Sequence, residues 1–205
     1  MTDFFGWSAE GLHDAKGPLL SVRTAYEVRL VQRILRTLGV SGRGRGIELG
    51  AGYGRITSVL ADVCSDVIGF EREPRLVEQA NQTHRDCRFI QVMNLGELPL
   101  ADGAADVVLT FTVLQQMKSP AVANALREVS RVAAPDGVVV LVEDFGVVEE
   151  ASFPDDRLFT IPRRPEDYAR MLPGFSLDCV LDRMLERGSW AGDAVVGKAM
   201  GFRRT

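Results

Sequence analysis

Short, unbroken apolar runs alternate with stretches of helical period along most of this chain, and that alternation narrows the fold more than any single motif. Between Ala25 and Leu38, the residues Val28, Val31, Leu35 and Leu38 recur at helical spacing, with Glu27, Arg29, Gln32 and Arg36 between them. Gly39 ends that helix, and the polar SGRGR leads into a short strand, Gly46 to Leu49. After a glycine-rich stretch, Ile56, Val59, Leu60 and Val63 resume the helical period. Further strands are read at Val67 to Phe70, Arg88 to Met93, Asp106 to Phe111 and Val138 to Val142. Pro74 suits the first turn of one intervening helix, and Ser119 as N-cap with Pro120 behind it opens another. Strands that are apolar on both faces belong in a sheet buried on both sides. The order therefore predicts an α/β fold: a doubly wound, mainly parallel sheet with helices on both faces. From Gly146 to Pro165 the pattern loosens. A helix around Tyr168, Met171 and Leu172 follows, then two strands near Leu177 to Leu181 and Ala194 to Phe202.

With 205 residues, 46% of them hydrophobic, the chain suits a single domain over residues 1–205. The net charge of −4 gives no electrostatic footprint for nucleic acid. Arg43, Arg45, Arg163, Arg164, Arg203 and Arg204 come in short pairs and are read as solvated surface. Cys64, Cys87 and Cys179 are odd in number and widely spaced, which indicates neither a disulfide framework nor a zinc site. The opening MTDFFGWSAEGLHDAKG lacks the charged start and apolar middle of a signal peptide, and no run approaches a membrane span. A cytoplasmic protein with no membrane and no nucleic-acid partner is expected.

The stretch GIELGAGYGR places Gly50, Gly52 and Gly54 in the first strand-to-helix turn. In doubly wound sheets ligands sit outside the carboxyl ends of the strands, where this turn lies. Glu71 closes the next strand, at the spacing expected of an acid that accepts ribose hydroxyls. The glycines read either as a tight turn or as a loop against a ligand, and the strand, loop, helix, strand, acid order favours the second. The spacing GxGxG differs from the dinucleotide fingerprint GxGxxG. Glu48, two residues before the first glycine, points to a ligand carrying positive charge, since a pyrophosphate prefers helix amides without a carboxylate beside them.

At this point the sequence resembles a known family. IELGAGYG is similar to the first motif of class I S-adenosylmethionine-dependent methyltransferases. VIGFEREPRLVEQA, VMNLGELPLADGAADVVLTFTVLQQM and VSRVAAPDGVVVLVED resemble later stretches in the family's order, the second of these typical of its small-molecule branch. The resemblance covers roughly Ala25 to Asp144. It implies a Rossmann-like methyltransferase fold and S-adenosyl-L-methionine as cofactor. Carried over by position, Glu48 and the loop Gly50, Ala51 and Gly52 would hold the methionine part, and Glu71 the ribose. Arg72 would flank the adenine, Asn94 would face it, Leu95 would belong to the cofactor site, and Phe111 would lie against the cofactor. Asn94 stands where relatives more often have aspartate; its side-chain oxygen can still accept a hydrogen bond. Its other reading is a polar loop residue that caps a strand end.

The resemblance implies methyl transfer onto an acceptor and says little about which. Gln115 and Gln116 stand where many relatives carry histidine, and glutamine cannot serve as a base. Either the base comes from elsewhere or none is needed. His13, on an N-terminal segment 1–24 read as a lid, is one candidate; Glu143 and Asp144, at the end of the fifth strand, are the others. His84, between a helix and the third strand, is read as surface. Arg23 and Tyr26 are read as helix surface or as acceptor lining, and 146–165 as an acceptor-site loop. TFTV after the fourth strand lacks the motif of enzymes that methylate amino groups of nucleic-acid bases, and no cysteine sits in a Pro-Cys setting. A small-molecule methyl acceptor, modified at O or N, is the leading expectation. A non-catalytic cofactor-binding module and a nicotinamide-dependent oxidoreductase are the alternatives.

Overall fold

The computed structural model describes residues 18–146, 160–184 and 196–205. His13, most of the expected lid and residues 147–159 of the expected acceptor-site loop lie outside the described residues. In chain order the elements are α1 (Pro18–Thr37), β1 (Arg43–Leu49), a 3₁₀ helix (Thr57–Asp62), β2 (Cys64–Glu71), α2 (Pro74–Thr83) and β3 (Arg88–Gln91). There follow β4 (Ala105–Phe111), a one-turn 3₁₀ helix (Leu114–Gln116), α3 (Ser119–Val132), β5 (Ala133–Asp144), α4 (Pro165–Met171), β6 (Phe175–Met184) and β7 (Val196–Arg204).

The strands form a sheet of order β3-β2-β1-β4-β5-β7-β6. The pairs from β3 through β5 are parallel, and β7 pairs antiparallel with both β5 and β6. Order reverses between β1 and β4, so the loops after those strands diverge and leave a crevice at their carboxyl ends.

Both faces are covered, which is why the strands read as unbroken apolar runs. On one face Leu30, Val31, Ile34 and Leu35 of α1 share a core with Val107, Leu109, Val138 and Val140. On the other, Leu126 and Val129 of α3 and Tyr168 of α4 pack with Ile47, Val108, Val139 and Leu141. Among the described residues no helix is long and apolar enough to cross a membrane.

Three local expectations need correction. The segment after the glycine loop is the 3₁₀ helix Thr57–Asp62 rather than an α-helix. Ser119 is the first helical residue and Lys118 the N-cap, with no side-chain cap; the Ser119 hydroxyl instead takes a long hydrogen bond from Arg163, 3.4 Å. The basic pairs are not a solvated set: Arg163 is buried, Arg45 is paired with Asp66 at 2.6 Å, and Arg204 donates to the carbonyls of Ser130 and Ala133.

Candidate functional site

β1 feeds directly into the loop at the crevice. Gly50, Gly52 and Gly54 have φ of 70°, 57° and 87°, a region that glycine enters without the penalty on a Cβ atom. Their surroundings differ. A methyl at Gly50 would overlap Val113, and one at Gly54 would come 2.6 Å from both His84 Cδ2 and Phe89 Cζ. At Gly52 no described residue lies within 4 Å. Two of the three glycines therefore let the protein pack on itself, and Gly52 alone opens onto space where a ligand can lie against backbone. His84 is consequently not surface: it is half-buried, its ring 6.0 Å from Phe89 and against the loop.

The loop's amides are already committed. Gly50 and Ala51 donate to the Phe70 carbonyl at 2.8 and 3.0 Å. Gly52 donates to Glu71 Oε2 at 2.8 Å, while Glu71 Oε1 accepts from the amides of Arg72, 2.7 Å, and Glu73, 2.9 Å. The Glu71 carboxylate is thus pinned across the mouth of the loop, with acceptor capacity left on Oε2 for a ligand hydroxyl. What the loop offers beyond this is close backbone approach at Gly52.

Glu48 is 2% exposed and accepts from the Thr57 hydroxyl. Burial pushes its carboxyl up to about 8, against the pull of Thr57 and of the Arg55 charge. It is a protonated group at neutral pH that an arriving cation would draw into ionising.

The adenine-side residues are placed less uniformly. Arg72 is half-buried and its carbonyl accepts from Gln91, 3.1 Å. Asn94 is exposed, and its Oδ1 accepts from the Gly96 amide at 2.9 Å, so this oxygen is turned into its own loop. Leu95 packs half-buried against the second core. Ala51 is buried in the first.

Beyond β4 the chain makes a tight turn that sequence reading missed. Thr112 takes φ 56°, the only positive value among the described non-glycine residues. Strain of this kind concentrates at functional sites. The 3₁₀ turn that follows is held at both ends. Glu143, fully buried, receives the Thr110 hydroxyl (2.9 Å) and the amides of Val113 (3.3 Å), Leu114 (3.2 Å) and Gln115 (3.1 Å). Arg163 donates to the carbonyls of Leu114, 3.1 Å, and Met117, 2.7 Å. An acid at the start and a base at the end satisfy the orphan groups of the turn and match its dipole. Burial raises Glu143 to about 7, with Gln115, Thr110, Leu114 and Val113 pulling it down. Glu143 therefore faces the turn it caps, an arrangement that suits positioning rather than proton transfer to a substrate.

Asp144 and Gln115 pair reciprocally. The Gln115 side chain donates to Asp144 Oδ2 at 3.0 Å and accepts from the Asp144 amide at 2.6 Å. Asp144 Oδ1 accepts from Arg183, 3.0 Å. Burial raises its carboxyl, opposed by Arg183 and Gln115. Arg183, 2% exposed, also donates to Glu27, 2.8 Å, on α1. Arg55 reaches the same carboxylate at 2.5 Å and Arg23 at 3.0 Å. Burial opposes a charge on Glu27, but Arg55, Arg23 and Arg183 outweigh it and hold it below the usual carboxylate range. The guanidinium carbons of Arg55 and Arg183 lie 5.4 and 5.2 Å from the Phe111 ring centroid. Phe111 is thus buried among charges at the end of β4. None of Glu27, Arg163 or Arg183 was legible as a site residue, because nothing in the sequence links any of them to the elements they meet in the fold.

A doubly wound sheet with an open glycine at its first turn and a pinned acid on the next strand is the arrangement expected of a nucleoside-cofactor site. A family profile for the methyltransferase domain matches residues 47–141. An uncharacterized methyltransferase of Mycobacteroides abscessus is 35% identical over 108 residues, 50% of this chain and 41% of the relative. Demethylmenaquinone methyltransferase of Beutenbergia cavernae is 32% identical over 142 residues, 64% of this chain and 58% of the relative. This chain thus spans about half the length of those two curated relatives. A SAM-dependent methyltransferase structure from Methanosarcina mazei superposes with a TM-score of 0.69 at 16% identity, covering 83% of this chain and 96% of that one, which is a likeness of fold. Over residues 47–141 the chain carries a methyltransferase domain, and its fold is that of solved S-adenosylmethionine-dependent methyltransferases.

The residues present fit that cofactor. Gly52 would take the methionine end against backbone, Glu71 a ribose hydroxyl, and Glu48 the cationic character of the amino-acid end.

Proposed function

We propose that this chain transfers the methyl group of S-adenosylmethionine to an oxygen or nitrogen atom of a small molecule, in secondary metabolism and in the cytoplasm. The observation that carries the reading is the Glu71 carboxylate, fixed by the Gly52, Arg72 and Glu73 amides directly beside the one glycine of the loop with no described residue in front of it. Placing the acid needs no ligand, so the site is organised in advance and loses little entropy on binding. A relative named for methylating demethylmenaquinone supports an acceptor that is not a macromolecule, and three unpaired cysteines suit a reducing compartment.

When bound, the cofactor supplies an activated methyl on its sulfonium; the protein's tasks are alignment and exclusion of water. Orienting two reactants can supply about 7–11 kcal/mol of the barrier. Here Glu143 and Arg163 hold the turn that carries Gln115 and Gln116, and Gln115 in turn fixes Asp144. No histidine stands on that turn, so we assign Asp144, whose carboxylate is part-exposed, as the described group best placed to orient a hydroxyl or amine. His13 is retained as a candidate base from the N-terminal segment.

The test is formation of S-adenosylhomocysteine from S-adenosylmethionine across a panel of small phenols, alcohols, amines and acids, with transfer RNA and unfolded protein alongside. Turnover with a member of the small-molecule set is expected. Turnover confined to RNA or protein contradicts the acceptor class, and cofactor binding without turnover anywhere favours the non-catalytic module.

A further inference from the structure

A line of hydrogen bonds joins the two sides of the crevice. Arg55, which follows the last glycine of the loop, donates to Glu27 Oε2 at 2.5 Å. Glu27 Oε1 accepts from Arg183 Nη2 at 2.8 Å, and Arg183 Nη1 donates to Asp144 Oδ1 at 3.0 Å. Asp144 Oδ2 accepts from the Gln115 side chain, 3.0 Å, which brings the line onto the turn after β4. Both terminal nitrogens of Arg183 are therefore engaged, one by an acid of α1 and the other by an acid of β5. A guanidinium is planar and rigid, so it holds its two acids at a set separation. Glu27 is fully buried and Arg183 nearly so, and breaking such a pair strands a charge away from water. The guanidinium carbons of Arg55 and Arg183 also lie over one ring, Phe111, 5.4 and 5.2 Å from its centroid. A displacement of Arg55 is thus passed along the line more readily than it is absorbed.

The loop end of this line sits beside a charge that can switch. Glu48 on β1 is buried with the Thr57 hydroxyl as partner, feels the charges of Arg55 and Glu71, and is protonated at neutral pH. We propose that Glu27 and Arg183 are positioning residues, which carry the occupation of the cofactor loop to the Asp144 carboxylate that orients the acceptor. This rests on the methyltransferase reading. An ammonium that draws Glu48 into ionising gives Arg55 a second anion to answer, and its hold on Glu27 changes. Glu27 then repartitions between Arg55 and Arg183, and Arg183 moves Asp144. A ligand shifts an arrangement only through a differential interaction of this kind, and the two forms of Glu48 supply it. Such coupling is reciprocal, so an acceptor held at Asp144 tightens the cofactor in turn.

The experiment is a titration of ¹⁵N-labelled protein with S-adenosylhomocysteine, which keeps the ammonium. The Gly52 and Arg72 amides report the loop; the Asp144 amide and the Gln115 side-chain NH₂, bonded to each other's residue, report the far end. All four are expected to shift along one saturation curve. Arg183→Met cuts the line but leaves Glu27 with Arg23 and Arg55, and Asp144 with Gln115, so neither acid is stranded. In this variant the loop shifts should persist with affinity within about threefold of the parent, while the Asp144 and Gln115 shifts fall by about half or more. Arg183→Lys should behave like Arg183→Met, since a point charge cannot fork between two acids. Glu48→Gln removes the switching charge and should silence the far end at saturating ligand. The proposal is overturned if Asp144 and Gln115 stay still in the wild-type protein while Gly52 shifts. It is also overturned if they shift as far in Arg183→Met or in Glu48→Gln as in the parent, since the signal would then pass elsewhere, for instance through Val113, which crowds Gly50. Should Arg183→Met fail to fold, Glu48→Gln decides alone. No shift even at Gly52 and Arg72 in a folded wild-type protein would count against the methyltransferase reading itself, and the proposal would fall with it.

Discussion

The two sides of the crevice are built from different materials. On the β1–β2 side the chain uses backbone: amides fix Glu71, and positive-φ glycines set the loop. The β4–β5 side uses buried side-chain charge: Glu143 and Arg163 hold a turn, and Glu27 gathers three arginines from α1, the glycine loop and β6. Backbone geometry is set by the local chain, whereas side chains brought from afar depend on tertiary packing, so the two sides can be perturbed separately.

The sharpest way to break the contrast is within the glycine loop. Gly50→Ala combines a positive φ with overlap onto Val113 and should cost about 3 kcal/mol of stability or more. Gly52→Ala meets no described neighbour, so it should cost only about 1 kcal/mol in strain yet lower cofactor affinity more than tenfold. Denaturant unfolding and calorimetry on the pair check this; equal stability losses would mean that Gly52 is also a packing glycine.

On the other side, Glu143→Gln places an amide NH₂ among backbone N–H donors. A loss of about 2–3 kcal/mol is expected, because a buried donor is left facing a donor. Unfolding at pH 8, where the parent carboxylate is ionised, measures it; a neutral outcome would remove Glu143 from the clamp.

Glu48 gives a smaller and pH-dependent effect. Its carboxyl is raised from 4.5 to about 8 in the folded protein, so the folded state binds the proton more tightly than the unfolded chain. The stability this provides is complete below about pH 4.5 and is lost as pH rises through about 8. Glu48→Gln should therefore be about 1–3 kcal/mol more stable than the parent at pH 8–9, with the gap closing below pH 5. A ligand bearing an ammonium should also expel the Glu48 proton. Binding enthalpies near pH 7 would then differ between buffers of different ionisation enthalpy, and buffer-independent enthalpies would contradict that coupling.

The same contrast explains what could be read from the sequence. The parallel sheet, the loop and Glu71 were legible because strand period, glycine spacing and an acid at fixed distance are local signals. The segment Thr57–Asp62 was misjudged as α-helix since Ile56, Val59, Leu60 and Val63, at helical spacing, do not separate one helical form from another over so short a stretch. The jobs of the individual glycines were not legible, because Val113, His84 and Phe89 approach them from other elements. Glu143 was found as a strand-end acid, but its partners on the turn, and hence its role, depend on tertiary contacts. Arg183, 156 residues from Glu27, carried no sequence signal at all.

The most direct measurement is calorimetric titration of the wild-type protein and Glu71→Ala with S-adenosylhomocysteine, with NAD run in parallel. Binding of S-adenosylhomocysteine in about the micromolar range, at least tenfold weaker in Glu71→Ala and absent for NAD, is the predicted result. No binding by a folded wild-type protein, or affinity unchanged in Glu71→Ala, would mean that the pinned acid and the open glycine do not form the cofactor site.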